Sequence, residues 1–256
     1  MFSTLKLVGP SQAQYGFPKI GSFIDQTPEL PIVDQLAGLY YLHDGPNKLK
    51  NYADGTKLLR MIGSPNAAAN FSWTNLANHY DTGLILPKDW TAIVISSIGN
   101  NKTTDGGLDL SNYGADGDVL SGDSLGANNT GSNITLYANV KNGNDLSVKS
   151  VNVSYPAETQ FQVYASVYND HPTYKKINAV TGEITSALVD MTDRTRVVSP
   201  ARTLKIGGHY RPGILTGLRR ISLVAVFFKA LSDDEIKQNT DYLRLKWCPG
   251  AGVILS

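Results

Sequence analysis

Thr203-Leu-Lys-Ile-Gly-Gly208, and shortly after it Gly217-Leu-Arg-Arg-Ile-Ser-Leu-Val-Ala-Val-Phe-Phe-Lys-Ala-Leu-Ser-Asp-Asp-Glu-Ile236, decide how this chain is read. From Arg220 to Phe228 nearly every residue is apolar, and the run is too short for a helix between Gly217 and Ser232. That is the pattern of a strand buried on both faces. The central strand of a β-sandwich is therefore expected here. Ser232 with Glu235 three residues on forms a capping box, so a helix starts at Ser232. Ile236, Thr240, Leu243 and Trp247 recur at helical spacing and give it one stripe to lay on a sheet, and Cys248-Pro-Gly stops it.

Working outward, the same alternation of short apolar runs and turn residues recurs. Leu36–His43, Leu58–Ile62, Tyr80–Pro87 and Trp90–Ile98 read as strands, with Asn66–Leu76 between them as a loop carrying Trp73. Asn133–Val140, Leu146–Tyr155, Thr159–Tyr168, Tyr174–Asn178 and Glu183–Val189 follow, with Asn142-Gly143 and Thr181-Gly182 as hairpin turns. The predicted fold class is all-β: a two-sheet antiparallel jelly-roll sandwich with one short C-terminal helix and an extended N-terminal arm. The predicted division is an arm over 1–31, the sandwich over 32–248 and a tail over 249–256.

The order L-x-I-G, then G, then V-F-x-x-A-L-S-D-x-E-I within residues 203–236 resembles the C-terminal signature of laminin G-like domains of the concanavalin A-like lectin/glucanase superfamily. More loosely, the likeness extends from Leu36 onwards, through Gly63-Ser-Pro65 and Asp81-Thr-Gly83. The resemblance implies a jelly roll that binds glycans or proteins. Glucanases of that superfamily carry Glu-x-Asp-x-x-Glu on one strand, which this chain lacks. Hydrolysis needs two carboxylates about 5 Å or more apart across the scissile bond. Asp190, Asp193 and the helix-capping Asp233–Glu235 do not offer that, so no enzyme activity is expected.

Composition narrows the function further. With 18% charged residues and a formal net charge of +1 over 256 residues, no basic stripe exists to neutralise phosphates, so nucleic acid is not an expected partner. No run of about 18 apolar residues occurs, and no signal peptide is visible, so membrane insertion is not expected either. One cysteine, Cys248, rules out an internal disulfide. The four histidines are dispersed without metal-ligand spacing.

Three groups of residues are candidate sites. On the strand Phe161–Tyr168, alternation puts Phe161, Val163, Ala165 and Val167 in the core and Tyr164 and Tyr168 outward. With Asn169, Asp170 and Tyr174 they offer the aromatic faces and planar polar groups that a sugar requires. The alternative is that these tyrosines cover the sheet. The Gly/Asp/Asn-rich interval from Gly99 to Gly131 reads as a long loop whose Asp105, Asp109, Asp116, Asp118 and Asp123 are oxygen ligands of the type Ca²⁺ takes, or else solvated acids. In the arm, Phe2, Phe17, Ile20, Phe23 and Ile24 are apolar without a period of 2 or 3.6, which suits an assembly clasp on a neighbouring chain or packing on its own domain.

A leaderless, disulfide-free chain with a laminin G-like domain and an apolar arm reads as a non-enzymatic virion protein of a tailed bacteriophage, in the tail or as a head appendage. Its expected partners are itself, as a homo-oligomer, other virion proteins and a host cell-surface polysaccharide. The alternatives are a bacterial carbohydrate-binding adhesin module and an inactive glucanase-like sandwich serving as scaffold.

Overall fold

The computed structural model describes residues 28–98, 105–116, 119–128, 133–154 and 160–255. The first strands are β1 Leu36–Tyr41, β2 Arg60–Ile62, β3 Asn66–Ala68, β4 Phe71–Thr74, β5 His79–Ile85 and β6 Trp90–Ser97. Then come β7 Leu108–Ser111, β8 Gly114–Asp116, β9 Val119–Ser121 and β10 Asp123–Ala127. The long hairpin β11 Asn133–Asn142 and β12 Asp145–Ser154 turns at Gly143, whose φ is +58°. Next are β13 Gln162–Tyr168, β14 Thr173–Ile177, β15 Ile184–Leu188 and β16 Thr195–Arg196, and the strands close with β17 Thr203–Ile206 and β18 Arg219–Phe227.

Among the described residues these strands make two eight-stranded antiparallel sheets and a small β8–β9 hairpin. In the first sheet the order is β15-β14-β13-β6-β18-β4-β3, with β1 also pairing β18. The second runs β12-β11-β10-β7-β17-β5-β2, with β16 on β11. The expected sandwich is therefore present, and β18 is a central strand between β6 on one side and β4 and β1 on the other.

The register shows why β6 and β18 are apolar on both faces, since directly opposed residues share a face. Tyr40, Val224, Val94 and Tyr164 form one row and Tyr41, Leu223, Ile95 and Val163 the next. The first row points at the second sheet, where Tyr164 reaches Asp109 of β7. The second row lies under the C-terminal helical segment, where Trp247 meets the ring of Tyr41 edge-on at 5.0 Å. That segment comprises α1 Asp233–Tyr242, a π turn over Leu243–Trp247 and α2 Cys248–Ala251. Both halves of the Ser232/Glu235 capping box are made. Ile236, Thr240, Leu243 and Trp247 are all buried, at roughly 1.5–3 kcal/mol for each large apolar side chain.

The two faces of the second sheet differ in polarity. Tyr80, Ile206, Leu110, Leu125 and Leu136 form its inward row. Arg60, Asp81, Lys205, Ser111, Ser124, Tyr137 and Ser150 form a polar row on its outer face.

Several expectations change. The loop read over Asn66–Leu76 is the β3–β4 hairpin, with Trp73 in a strand. The interval Gly99–Gly131 contains β7 to β10, and its Gly, Ser and Asp residues are tolerated because long-range pairing to β11 and β17 supplies what local propensity lacks. The proposed tail is joined to the domain: Val253 is buried, Leu255 bridges Phe161, and the Phe161 N–H donates to the Ile254 carbonyl at 3.1 Å. Of the proposed arm, residues 28–32 pack on α1. Leu30 is buried, and the Asn239 amide both accepts from Ile32 N–H at 2.9 Å and donates to its carbonyl at 3.2 Å. Phe2, Phe17, Ile20, Phe23 and Ile24 lie outside the described residues. No helix among the described residues is long and apolar enough to cross a membrane.

Candidate functional site

The tyrosines expected to face a sugar are inside the sandwich. Tyr164 and Tyr168 are fully buried and Tyr174 nearly so. The Tyr164 hydroxyl bonds to Asp109 and Ser96, while the Tyr168 hydroxyl donates to the Ser124 carbonyl at 2.8 Å and its ring stacks on Trp90 at 4.2 Å. Their alternation was real but its direction was inverted, because the helical segment buries the Val163 face and the phenols fill the space between the sheets. Asn169 and Asp170 stay at the surface, where Asp170 pairs with Lys88 at 2.7 Å and Asn169 accepts from the His171 N–H. These five residues do not form a sugar platform.

The acidic set is likewise dispersed. A shift of register between Leu125 and Gly126, opposite β7, marks a bulge that re-aims a side chain there. Asp109 points into the core, where Arg219 holds both its oxygens at 2.8 and 2.9 Å. Asp105 is exposed and accepts from Thr216 at 2.8 Å. Asp116 is on β8, and Asp118 lies outside the described residues. Among the described residues no three His, Cys, Asp or Glu side chains converge as metal ligands. For the expected Ca²⁺ site, Asp105 and Asp109 are therefore not brought together with a third such ligand among the described residues.

A concave feature lies on the outer face of the second sheet. After β17 the chain turns at Gly207, where φ is +83° and a Cβ would stand 2.2 Å from Thr74 Cβ. Only glycine fits there, and Gly208 then passes against the His79 ring. This carries the segment 209–216 across the outer face, where Ile214 and Leu215 make one wall of a cleft of about 180 Å³. Ser124, Tyr137, Asn139 and Val148 from β10, β11 and β12, with Tyr113, complete its lining.

Each lining group is held. The Ser111 hydroxyl accepts the Tyr113 N–H at 2.9 Å and is 2.8 Å from the Ser124 hydroxyl, and Asn139 Nδ2 donates to the Gly122 carbonyl at 2.6 Å. The segment beside Tyr113 is anchored from below by Arg202, whose guanidinium donates to the carbonyls of Asn112, Gly114 and Ser121. Arg211 is exposed, and its Nη1 donates to the hydroxyl of the lining residue Tyr113 at 2.5 Å. His209 organises the wall: Nδ1 accepts the Arg211 N–H at 3.1 Å and Nε2 faces the Ile214 carbonyl at 2.9 Å. Burial, with Lys205 and Arg211 nearby, holds its pKa below the ordinary value of 6.5. Burial raises the Tyr137 phenol, so it stays neutral.

The cleft thus combines two tyrosines and aliphatic walls, with the Arg211 guanidinium bonded to one of the tyrosines. Of these, the β11 contribution was readable, since Thr135, Tyr137 and Asn139 alternate with Ile134, Leu136, Ala138 and Val140. The contribution of Arg211, Ile214 and Leu215 depends on where the glycine pair sends the loop, which no local pattern states.

No protein-family profile and no curated protein matches the chain. Solved structures do resemble it. The receptor-binding domain of botulinum neurotoxin C/D mosaic serotype superposes with a TM-score of 0.57 at 14% identity, over 80% of this chain and 51% of that one. The serotype D ligand-binding domain in complex with N-acetylneuraminic acid gives 0.56 at 14%, over 80% and 50%. The neurotoxin DC binding domain in complex with SialylT gives 0.54 at 12%, over 81% and 51%. This chain spans about half the length of these neighbours. At such identity the likeness establishes the sandwich fold, shared with domains that bind receptors; it establishes neither a laminin G lineage nor a bacteriophage origin.

Proposed function

We propose that the chain is a non-enzymatic, lectin-like binding module that takes one acidic saccharide residue in the cleft on the second sheet. The observation that carries this reading is Arg211, bonded to the hydroxyl of the cleft residue Tyr113 and without an acidic partner among the described residues. A guanidinium held by one of its five donors presents the rest to a carboxylate. Tyr113 and Tyr137 offer faces to the apolar side of a pyranose. At about 180 Å³ the cleft is smaller than the roughly 300–1,000 Å³ of sites for drug-sized ligands, which suits a single terminal sugar. Two of the structural neighbours were solved with sialic acid or a sialylated glycan, which supports the same ligand class.

A glycan array carrying sialylated, uronic-acid and neutral glycans tests it. Binding should be confined to acidic glycans, and Arg211→Ala should weaken it about 10- to 100-fold, the worth of a charged hydrogen bond. Tyr137→Ala should weaken it by about tenfold. Equal binding of neutral glycans, undiminished by Arg211→Ala, would place recognition elsewhere.

A second reading, in which the module is attached to a virion and assembles there with copies of itself, is favoured by where residues 1–27 join. Residues 28–32 dock on α1, over the outer face of the first sheet, whereas the cleft opens on the outer face of the second. Anything held through the arm would leave the cleft facing away. Deletion of 1–27 should then lower the sedimentation coefficient while changing the unfolding midpoint by no more than a degree or two, about 0.5 kcal/mol. An unchanged oligomeric state would remove the clasp.

A further inference from the structure

We propose that His209 is a pH-sensitive latch on this cleft: the neutral ring holds the 209–216 wall closed, and uptake of a proton releases it. The inference rests on the cleft being the binding site, yet its first test needs no ligand.

The geometry fixes the tautomer. Because Nδ1 accepts the Arg211 N–H, the ring proton is on Nε2, where it donates to the Ile214 carbonyl. One imidazole thereby ties Arg211 to Ile214 in the wall. A second proton can go only to Nδ1, turning an acceptor into a donor that faces another N–H. The bond to Arg211 is then lost, and the guanidinium bonded to Tyr113 loses its fixed backbone.

The backbone of Ile214 and Leu215 favours the added charge, but burial, Lys205 and Arg211 outweigh it. From its own segment come Arg211 and the neutral Tyr210. From β17 comes Lys205, whose Nζ lies 3.4 Å from the His209 carbonyl and 3.8 Å from the centre of the Tyr210 ring. β5 supplies His79 and Asp81, the latter paired with Arg60 at 2.8 Å and accepting from Thr203. Tyr113, whose carbonyl accepts from the Tyr210 N–H, has its ring 6.3 Å away and is uncharged. His209 is 3% exposed, so water does not compensate. The wall also stores strain that an opening relieves, since Leu215 has a left-handed φ of +48°, costly for a branched residue.

The sign follows. With its pKa depressed in the closed form below 6.5, the ring binds protons more tightly when the wall is open. Closure is therefore complete above the ordinary imidazole pKa and is lost as pH falls below it.

Hydrogen exchange of the full-length, ligand-free protein reads this directly. After correction for intrinsic rates, protection of the Arg211 amide should fall at least about tenfold from about pH 7.5 to about pH 4.5, while amides of β18 keep theirs. His209→Gln, which retains a donor and an acceptor but does not titrate, should abolish the change. His79→Gln, at the other buried imidazole of this face, should leave it. Unchanged Arg211 protection in the wild type, or disappearance of the effect in His79→Gln alone, would overturn the latch. In a parallel titration with N-acetylneuraminic acid, binding by the wild type should weaken over the same interval and binding by His209→Gln should not. Absence of any binding would count against the saccharide reading alone, since exchange decides the latch independently; pH-independent binding by the wild type would overturn it.

Discussion

Arg219→Ala is expected to cost about 3–5 kcal/mol, a large part of the stability of a domain of this kind. Arg219 and Asp109 are both fully buried between the sheets, with Nε–Oδ1 at 2.8 Å and Nη2–Oδ2 at 2.9 Å. The Tyr164 hydroxyl donates to the same carboxylate, and the Ser96 hydroxyl accepts from Arg219 at 2.9 Å and lies 2.6 Å from Tyr164 Oη. Strands β6, β7, β13 and β18 thus meet at one polar cluster. Removing the cation strands a carboxylate in the interior, where desolvation is no longer offset. Removing both charges by Asp109→Leu with Arg219→Met should recover most of the loss, because a matched pair is worth little against apolar packing of similar volume. Urea unfolding of the two single variants and the double variant checks this. Additive losses, or a single-variant cost below about 1 kcal/mol, would show that the four strands are not joined through this pair.

That cluster also shows what the sequence could and could not say. β18 was legible because its apolar run is bounded by Gly217 and by a capping box, both local signals. Arg219 at its start gave no sign of burial, because its partner lies 110 residues away on a strand hidden in a Gly/Asp-rich interval. Asp109 there resembles a loop acid until pairing with β10 and β17 places it in a sheet. The inversion on β13 has a related cause. Period-2 alternation states that two faces differ and leaves open which one meets solvent, and tyrosine is apolar enough to be buried once its hydroxyl is matched. Ser96, Asp109 and Ser124 supply those matches from strands remote in sequence. The candidate site was half legible for the same reason: the sheet part follows alternation, and the loop part follows tertiary contacts.

A second buried carboxylate, Asp123, lacks the fit that Asp109 has, and it should make the fold less stable as pH rises. Arg196 Nε stands 3.6 Å from Asp123 Oδ1, too far for a hydrogen bond, and neither atom has another such partner. Arg196 instead spends its other nitrogens on the carbonyls of Lys88 and Asn169. Trp90 Nε1 donates to Asp123 Oδ2 at a long 3.3 Å. Burial therefore prevails over Arg196 and Trp90 and pushes the carboxyl from 3.8 up to about 6. In that interval the folded chain keeps a proton that the unfolded chain has given up. Stability is accordingly intact below about pH 4, falls as pH rises, and has lost on the order of 3 kcal/mol once the folded group ionises. His79 and His209, buried and neutral, act with the opposite sign below 6.5, so the informative quantity is the difference between wild type and Asp123→Asn. Denaturant unfolding from about pH 4 to about pH 7 should show the wild type losing stability relative to that variant by on the order of 3 kcal/mol. A difference that stays within about 0.5 kcal/mol throughout would mean that Asp123 is ionised in the fold and that Arg196, despite its distance, is a sufficient partner.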